Sequence, residues 1–248
     1  MLSILLSACH VYASLHEQCS SNVGEEECIN KGLEEHWKSY GTGDFWHYFK
    51  CSLLFESKRP IHNESTWMLF RGLYHGIVGV SESTISPLVY EHGIQIPYYI
   101  GYHSLRGRGI YAKEAVPNGS VIWNTRQTAC FKKGELYREF LMSLPRELAC
   151  DVLQWAYVID RDKGYGGKVT QPKETQNMNI CVDLDEGIYM NTGEQLEDNA
   201  GCELNASESV PGGCKDNIFA LKDIKANEEI LVNYRDFAEP DSWESFGF

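Results

Sequence analysis

The apolar residues of this chain change period near residue 96, and any fold must satisfy both patterns. Before that point Trp46, Phe49 and Leu53, then Trp67, Phe70, Tyr74 and Ile77, recur mostly at steps of three to four, the spacing of one helix face. Helices are expected over 29–40, over 45–55 and from Ser65 onward. An aromatic stripe of this kind packs a core more readily than it lines a cofactor box. Beyond residue 96 the apolar runs are short and bounded by turn residues. Ile110-Tyr111-Ala112 and Val121-Ile122-Trp123 flank the turn signal Pro117-Asn118-Gly119, and further strands are expected over 179–184, 218–221 and 229–234. Two helices, over 135–142 and 146–158, interrupt them, the second opened by Ser143 and Pro145. The pattern is that of a mixed sheet with a helical insert at about 134–160. Residues 14–95 form a helix-rich region that covers it, and 81–87 is a turn or linker.

At 248 residues the chain is long enough to bury a full core without obligatory staples. Its net charge of −13 is concentrated, because residues 183–248 hold 16 Asp and Glu against 4 Lys and Arg, which is −12 of that total. Long-range repulsion argues against direct binding of nucleic acid or anionic lipid and favours a cationic partner, although such a face also serves simply to stay solvated. No apolar run reaches the ~20 residues of a spanning helix, so no membrane span is expected. Residues 1–13 join an apolar stretch from Leu2 to Ala8 to the exit Val11-Tyr12-Ala13. They read as a secretory leader cut near Ala13, without a basic start; an ordinary buried first segment is the alternative. Removing Cys9 with the leader leaves Cys19, Cys28, Cys51, Cys130, Cys150, Cys181, Cys202 and Cys214, an even set whose pairing the sequence leaves open, with reduced buried thiols as the other reading. Three acceptor sequons begin at Asn63, Asn118 and Asn205.

Several chemistries fall away on inspection. Gly107-Arg108-Gly109-Ile110-Tyr111-Ala112 matches the glycine pattern of a dinucleotide-binding turn, but Pro117-Asn118-Gly119 arrives before the helix that must receive a pyrophosphate. The sequence has no G-x-S-x-G elbow, P-loop, H-E-x-x-H helix or C-x-x-C pair. His47 and Cys51, four apart, are the only helical pair worth weighing for a metal, and packing is the better account of them. Glu228-Glu229, after a polar turn, read as solvated.

Three segments in order carry a more specific signal. Gly107-Arg108-Gly109-Ile110-Tyr111-Ala112 with Pro117-Asn118-Gly119-Ser120-Val121-Ile122 resembles the opening of the SET-domain lysine methyltransferases. Tyr189-Met190-Asn191 is similar to that family's Phe-Ile/Met-Asn-His-Ser segment. Ile218-Phe219-Ala220-Leu221-Lys222-Asp223-Ile224, followed by Asn227-Glu228-Glu229-Ile230-Leu231-Val232-Asn233-Tyr234, looks like its closing segment. The likeness runs from about residue 99 to 237. It departs from the family at Thr192-Gly193, where His-Ser is usual, and in lacking the flanking cysteine-rich zinc clusters, so no metal is implied.

The resemblance implies an α+β, SET-type fold of short, mostly antiparallel strands, with the catalytic domain over 96–237 and an aromatic tail over 238–248. It also implies S-adenosyl-L-methionine as cofactor. Arg108, Gly109 and Ile110 would hold it through backbone groups, and Asn191 and Thr192 would contact its adenosine end. Tyr234 would be the active-site tyrosine. Val232 stands where the family has an aromatic and leaves room for more than one methyl, while Phe237 and Trp243 are candidates for the substrate channel. The substrate would be a basic, lysine-rich protein drawn by the acidic last quarter, in the secretory lumen or outside the cell if the leader is real, or in the nucleus or cytoplasm if it is not. The readings set against this one are a secreted binding protein that keeps the fold without catalysis and, with less behind it, a carbohydrate- or small-molecule-binding module.

Overall fold

The computed structural model describes residues 36–85, 93–160, 177–193, 197–202, 217–234, 238 and 240–248. The leader, Cys19, Cys28, the third sequon, Cys214 and Phe237 lie outside the described residues.

The helical first part begins with a 3-10 turn, Trp37–Ser39, then α1 (Thr42–Tyr48), α2 (Cys51–Phe55) and α3 (Glu64–Val78). The single helix expected over 45–55 is two, because Lys50 takes a left-handed conformation (φ 51°) between them. Asn63 caps α3 by accepting the amide hydrogen of Thr66 (3.2 Å), and Gly79, at φ 80°, ends it. The stripe on α3 is core as its spacing required: Trp67, Phe70 and Tyr74 are fully buried.

Among the described residues ten short strands follow α3, with two more α-helices between them. β1 (Tyr98–His103) and β2 (Gly107–Ala112) form an antiparallel hairpin with Gly101 opposite Gly109. The glycine motif thus lies on a strand and opens no helix, as its context required. β3 (Val121–Asn124) pairs with β9 (Asn217–Ala220), which pairs with β8 (Ala200–Gly201). β4 (Thr128–Phe131), β6 (Met178–Asp183) and β5 (Tyr157–Asp160) make a second three-stranded antiparallel sheet in that order. Between β4 and β5 stand the insert helices α4 (Gly134–Ser143) and α5 (Arg146–Trp155). The helix expected to reach residue 158 stops at Trp155, where Ala156 turns extended and the β-prone Tyr157-Val158-Ile159 begins β5. β7 (Asn191–Thr192) and β10 (Leu231–Val232) form the one parallel pair among the described strands. A strand over 229–234 was expected; its ladder is limited to those two residues.

One hydrophobic core runs from Tyr40 to Val232, so the helices and the sheets are not independently packed. Two disulfides cross it: Cys51–Cys150 ties α2 to α5, and Cys130–Cys181 joins register partners on β4 and β6. Cys202 is disulfide-bonded as well, so every cysteine among the described residues is oxidised, and Cys51 has no thiolate to offer a metal with His47. In the chain-entropy account, the 99-residue separation of the first bridge corresponds to about 4–5 kcal/mol.

Beside Cys150, the carboxylate of Asp151 is fully buried. It accepts from Arg59 (3.2 and 3.1 Å), from Arg108 (2.9 and 3.3 Å) and meets His62 Nε2 at 2.8 Å. Burial alone would raise its pKa, but the hydrogen bonds from His62, Arg59 and Arg108 outweigh burial and hold it at about 2. The folded pKa lies below the usual 3.8, so this stabilisation is full above pH 4 and is lost as pH falls toward 2. Asp151→Ala strands two buried guanidinium groups, and urea unfolding of the oxidised protein at pH 7 is expected to show a loss of about 3–5 kcal/mol. A change under about 1 kcal/mol would remove Asp151 from the centre of this packing.

Candidate functional site

A cavity of about 1000 Å³ opens between the β1–β2 hairpin, the chain after α2, the end of α5 and the segments carrying β7 and β10. Arg108 enters it from β2. Its guanidinium lies 4.9 Å from the ring centre of Trp155 and 5.0 Å from that of Tyr189 while it is bonded to Asp151, so its charge is compensated on one side and its faces are covered by rings. Trp123 and Tyr157 add further aromatic surface to the lining.

At the cavity's polar end Asp183, on the last residue of β6, accepts from Thr128 Oγ1 (2.6 Å) and from the Tyr157 hydroxyl (3.2 Å). Burial pushes its carboxyl up to about 6 against those two bonds. Asp185 is pushed further, to about 8, by burial and then by Asp183, although Gly187 N (2.8 Å) and Trp123 Nε1 (3.2 Å) donate to it. Tyr234 leaves 41% of its surface exposed, yet its hydroxyl turns inward and donates to the carbonyl of Met190 (2.9 Å). Burial, then the charges of Asp183 and Glu229, push its pKa to about 12, so the phenol is protonated throughout the physiological range.

Asn191 and Gly109 fit each other. Asn191 Nδ2 donates to the carbonyl of Arg108 and to Glu229 Oε1, both at 2.9 Å. A Cβ on Gly109 would collide with the Glu229 carboxylate and crowd Asn191, so the second glycine of the motif is required by a close approach of side chains. Glu229 is therefore not the solvated residue its context suggested. It is 7% exposed and bonded to Arg106 (2.6 Å) as well as to Asn191. Glu228 is engaged too, accepting from the Lys225 amide (2.9 Å) and Asn199 (3.1 Å).

The structure brings Arg108, Asn191, Val232 and Tyr234 to one cavity. Gly109 and Ile110 lie behind them on β2, buried, with the Ile110 carbonyl accepting from Ile230 N. Thr192 is exposed on β7 and Trp243 sits elsewhere, against Tyr137 (6.1 Å between ring centres) and Phe248 (5.6 Å); neither lines the cavity. Tyr157, Asp183, Trp155 and Tyr189 are lining residues that sequence reasoning missed. A signal for Tyr157 existed in the aromatic and β-branched run after Ala156, which reads as a strand once the helix is stopped there.

Residues 107–235, just over half of the chain, match the family described as the SET domain. Among solved structures, a Plasmodium falciparum protein described as a candidate histone methyltransferase aligns at 20% identity over 57% of this chain and 95% of its own, with a TM-score of 0.32. The methyltransferase domain of human histone-lysine N-methyltransferase SETMAR aligns at 17% identity over 57% of this chain and 45% of its own (TM-score 0.34). The Neurospora SET-domain protein DIM-5, a histone lysine methyltransferase, does so at 16% identity over 57% and 53% (TM-score 0.35). No curated protein matches the sequence.

The raised carboxyl of Asp183 gives a pH test of the polar end. The unfolded chain releases this proton near 3.8 and the folded one near 6, so stability falls as pH rises between those values and is level above them. Asp183→Asn keeps an acceptor for Thr128 and Tyr157 without the charge. Relative to this variant, the wild type is expected to lose roughly 2–3 kcal/mol of urea stability between pH 4 and 6. A pH-independent difference would mean that Asp183 is not held in this low-dielectric setting.

Proposed function

This chain belongs to the SET-domain family, and on that footing we propose that it transfers methyl groups from S-adenosyl-L-methionine to the side-chain amine of lysine in a basic protein. The observation that carries the reading is convergence: Arg108, Asn191, Val232 and Tyr234, drawn from three separate sequence segments, face one cavity. The residues present fit the group. The cavity is of small-molecule size, and it sets aromatic walls at Trp123, Trp155 and Tyr189 beside polar and charged groups that include Arg108, Asp183 and Asn191, a mixture suited to a polar cofactor with a flat ring system. Arg108 and Asn191 would hold the cofactor, with Gly109 and Ile110 setting the β2 backbone behind them and Thr192 at the outer edge.

When bound, S-adenosyl-L-methionine supplies a methyl already activated on a sulfonium, so that the amine's lone pair forms the N–C bond as the C–S bond breaks. The chain's own work is to exclude water and aim a neutral lysine amine, and geometry is the main source of rate. Tyr234, neutral and anchored through its proton to Met190, presents a phenol oxygen whose lone pairs suit C–H and N–H donors. Tyr157 supplies a second phenol, its proton directed at Asp183. Val232 is small, which leaves space for a partly methylated amine and supports more than one round of transfer. The excess of acid after residue 183 would raise the local concentration of a lysine-rich partner.

Oxidised cysteines at every described position support an oxidising compartment, reached through the leader, and the exposed Asn63 and Asn118 are open to glycosylation there. A second reading, a binder without catalysis, draws on Asn191, whose two amide hydrogens are both spent inside the protein. Calorimetry separates the two. S-adenosyl-L-methionine is expected to bind the oxidised protein at one site, and Asn191→Ala to weaken it. Tyr234→Phe is expected to keep the fold and lower methyl transfer to lysine-rich proteins by about a hundredfold or more. No binding by the folded protein would leave the non-catalytic reading. With an active enzyme, mass spectrometry is expected to show di- or trimethyl-lysine, and product confined to monomethyl would remove the role given to Val232.

A further inference from the structure

Part of the cavity wall comes from outside the family match. The last residue of α2, Phe55, and the chain after it, which runs along the cavity as a strap with Ser57, Lys58 and Arg59, all lie well before residue 107. The strap is held at several points. Arg59 reaches Asp151 and the Glu147 carbonyl (2.7 Å), Arg108 donates to the Pro60 carbonyl (2.7 Å), the Tyr102 hydroxyl donates to the Arg59 carbonyl (2.7 Å), and the His62 amide donates to the Tyr189 hydroxyl (3.0 Å).

The charges on the lining are unequal in their partners. Arg59 and Arg108 share Asp151, and Arg106 has Glu229 with Glu197 beyond. His103 is turned so that Nδ1 accepts the amides of Leu105 and Arg106. Lys58 alone among the described lysines and arginines of the wall has no carboxylate; its ammonium rests 3.5 Å from the ring centre of Tyr102. A cation held in place over an aromatic face, at the rim of a cavity whose other cations are neutralised, is suited to an anionic group of the ligand.

We propose that Lys58 receives the α-carboxylate of S-adenosyl-L-methionine, so that the helical region before the family match completes the cofactor site. This rests on the methyltransferase reading above. The test is calorimetric binding of two probes, S-adenosyl-L-methionine and its decarboxylated analogue, to the full oxidised chain and to Lys58→Gln, Lys58→Glu and Lys58→Arg. Lys58 is exposed and has no carboxylate partner to lose, so the variants are expected to fold, which circular dichroism checks.

The wild type should prefer the intact cofactor by about tenfold, the worth of one charge-assisted contact. Lys58→Gln should abolish that preference, Lys58→Glu should reverse it, and Lys58→Arg should retain it. A wild type that binds S-adenosyl-L-methionine but shows no preference, or a Lys58→Glu that weakens both probes equally, would overturn the assignment while leaving the methyltransferase reading standing. Failure of the folded wild type to bind either probe would overturn both.

Discussion

Two guanidinium groups and an imidazole meet one carboxylate at Asp151, and the arrangement of the cavity follows from that meeting. Arg59 and His62 come from the strap after α2, Arg108 from the glycine-rich strand, and Asp151 from the insert helix α5. Burying such a group is costly unless its oxygens are filled, and here five contacts fill them. Without it, Arg108 would be an uncompensated charge between Trp155 and Tyr189, and the strap would lose its carboxylate anchor, leaving the hydrogen bonds to Glu147, Tyr102 and Tyr189. The neighbouring Cys51–Cys150 bridge fixes the same helix to α2, so covalent and electrostatic ties act on one place.

The glycine-rich strand and the closing segment meet in a second buried cluster, where Glu229 is shared by Asn191 and Arg106. This places the β7–β10 ladder, only two residue pairs long, beneath the cavity. A parallel pair so short has little strength of its own; its register is kept by side-chain bonds on either side, including Asn199 to the backbone of Glu229 and Leu231. The position of Tyr234, two residues beyond β10, depends on that register.

Much of the architecture was legible because it rests on local pattern. The aromatic stripe of α3, the turn at Pro117-Asn118-Gly119 and the strand character of Val121-Ile122-Trp123 follow from spacing alone, and Gly119 takes the positive φ such a turn uses. The ordered motifs also indicated the segments that became β2, β7 and β10 as parts of one site, without saying which of their residues would reach it. What escaped were contacts between residues far apart in sequence. Asp151 looks like one more polar position on an amphipathic helix until Arg108, 43 residues away, and Arg59, 92 away, are folded against it. Glu229 looked solvated because its partner Arg106 is 123 residues distant. Tyr157 was absorbed into a helix because apolar periodicity does not mark where one element hands over to another of similar composition.

The two bridges with both ends described also overlap: one closes the interval 51–150 and the other 130–181. Neither loop is nested in the other. A single break in the backbone anywhere between residues 51 and 181 therefore leaves both pieces linked through sulfur, with the strap, the insert helices and β6 still on one covalent body. Such a molecule would run as one species until reduced, and a nick by a protease would change its connectivity without releasing any part of the cavity wall.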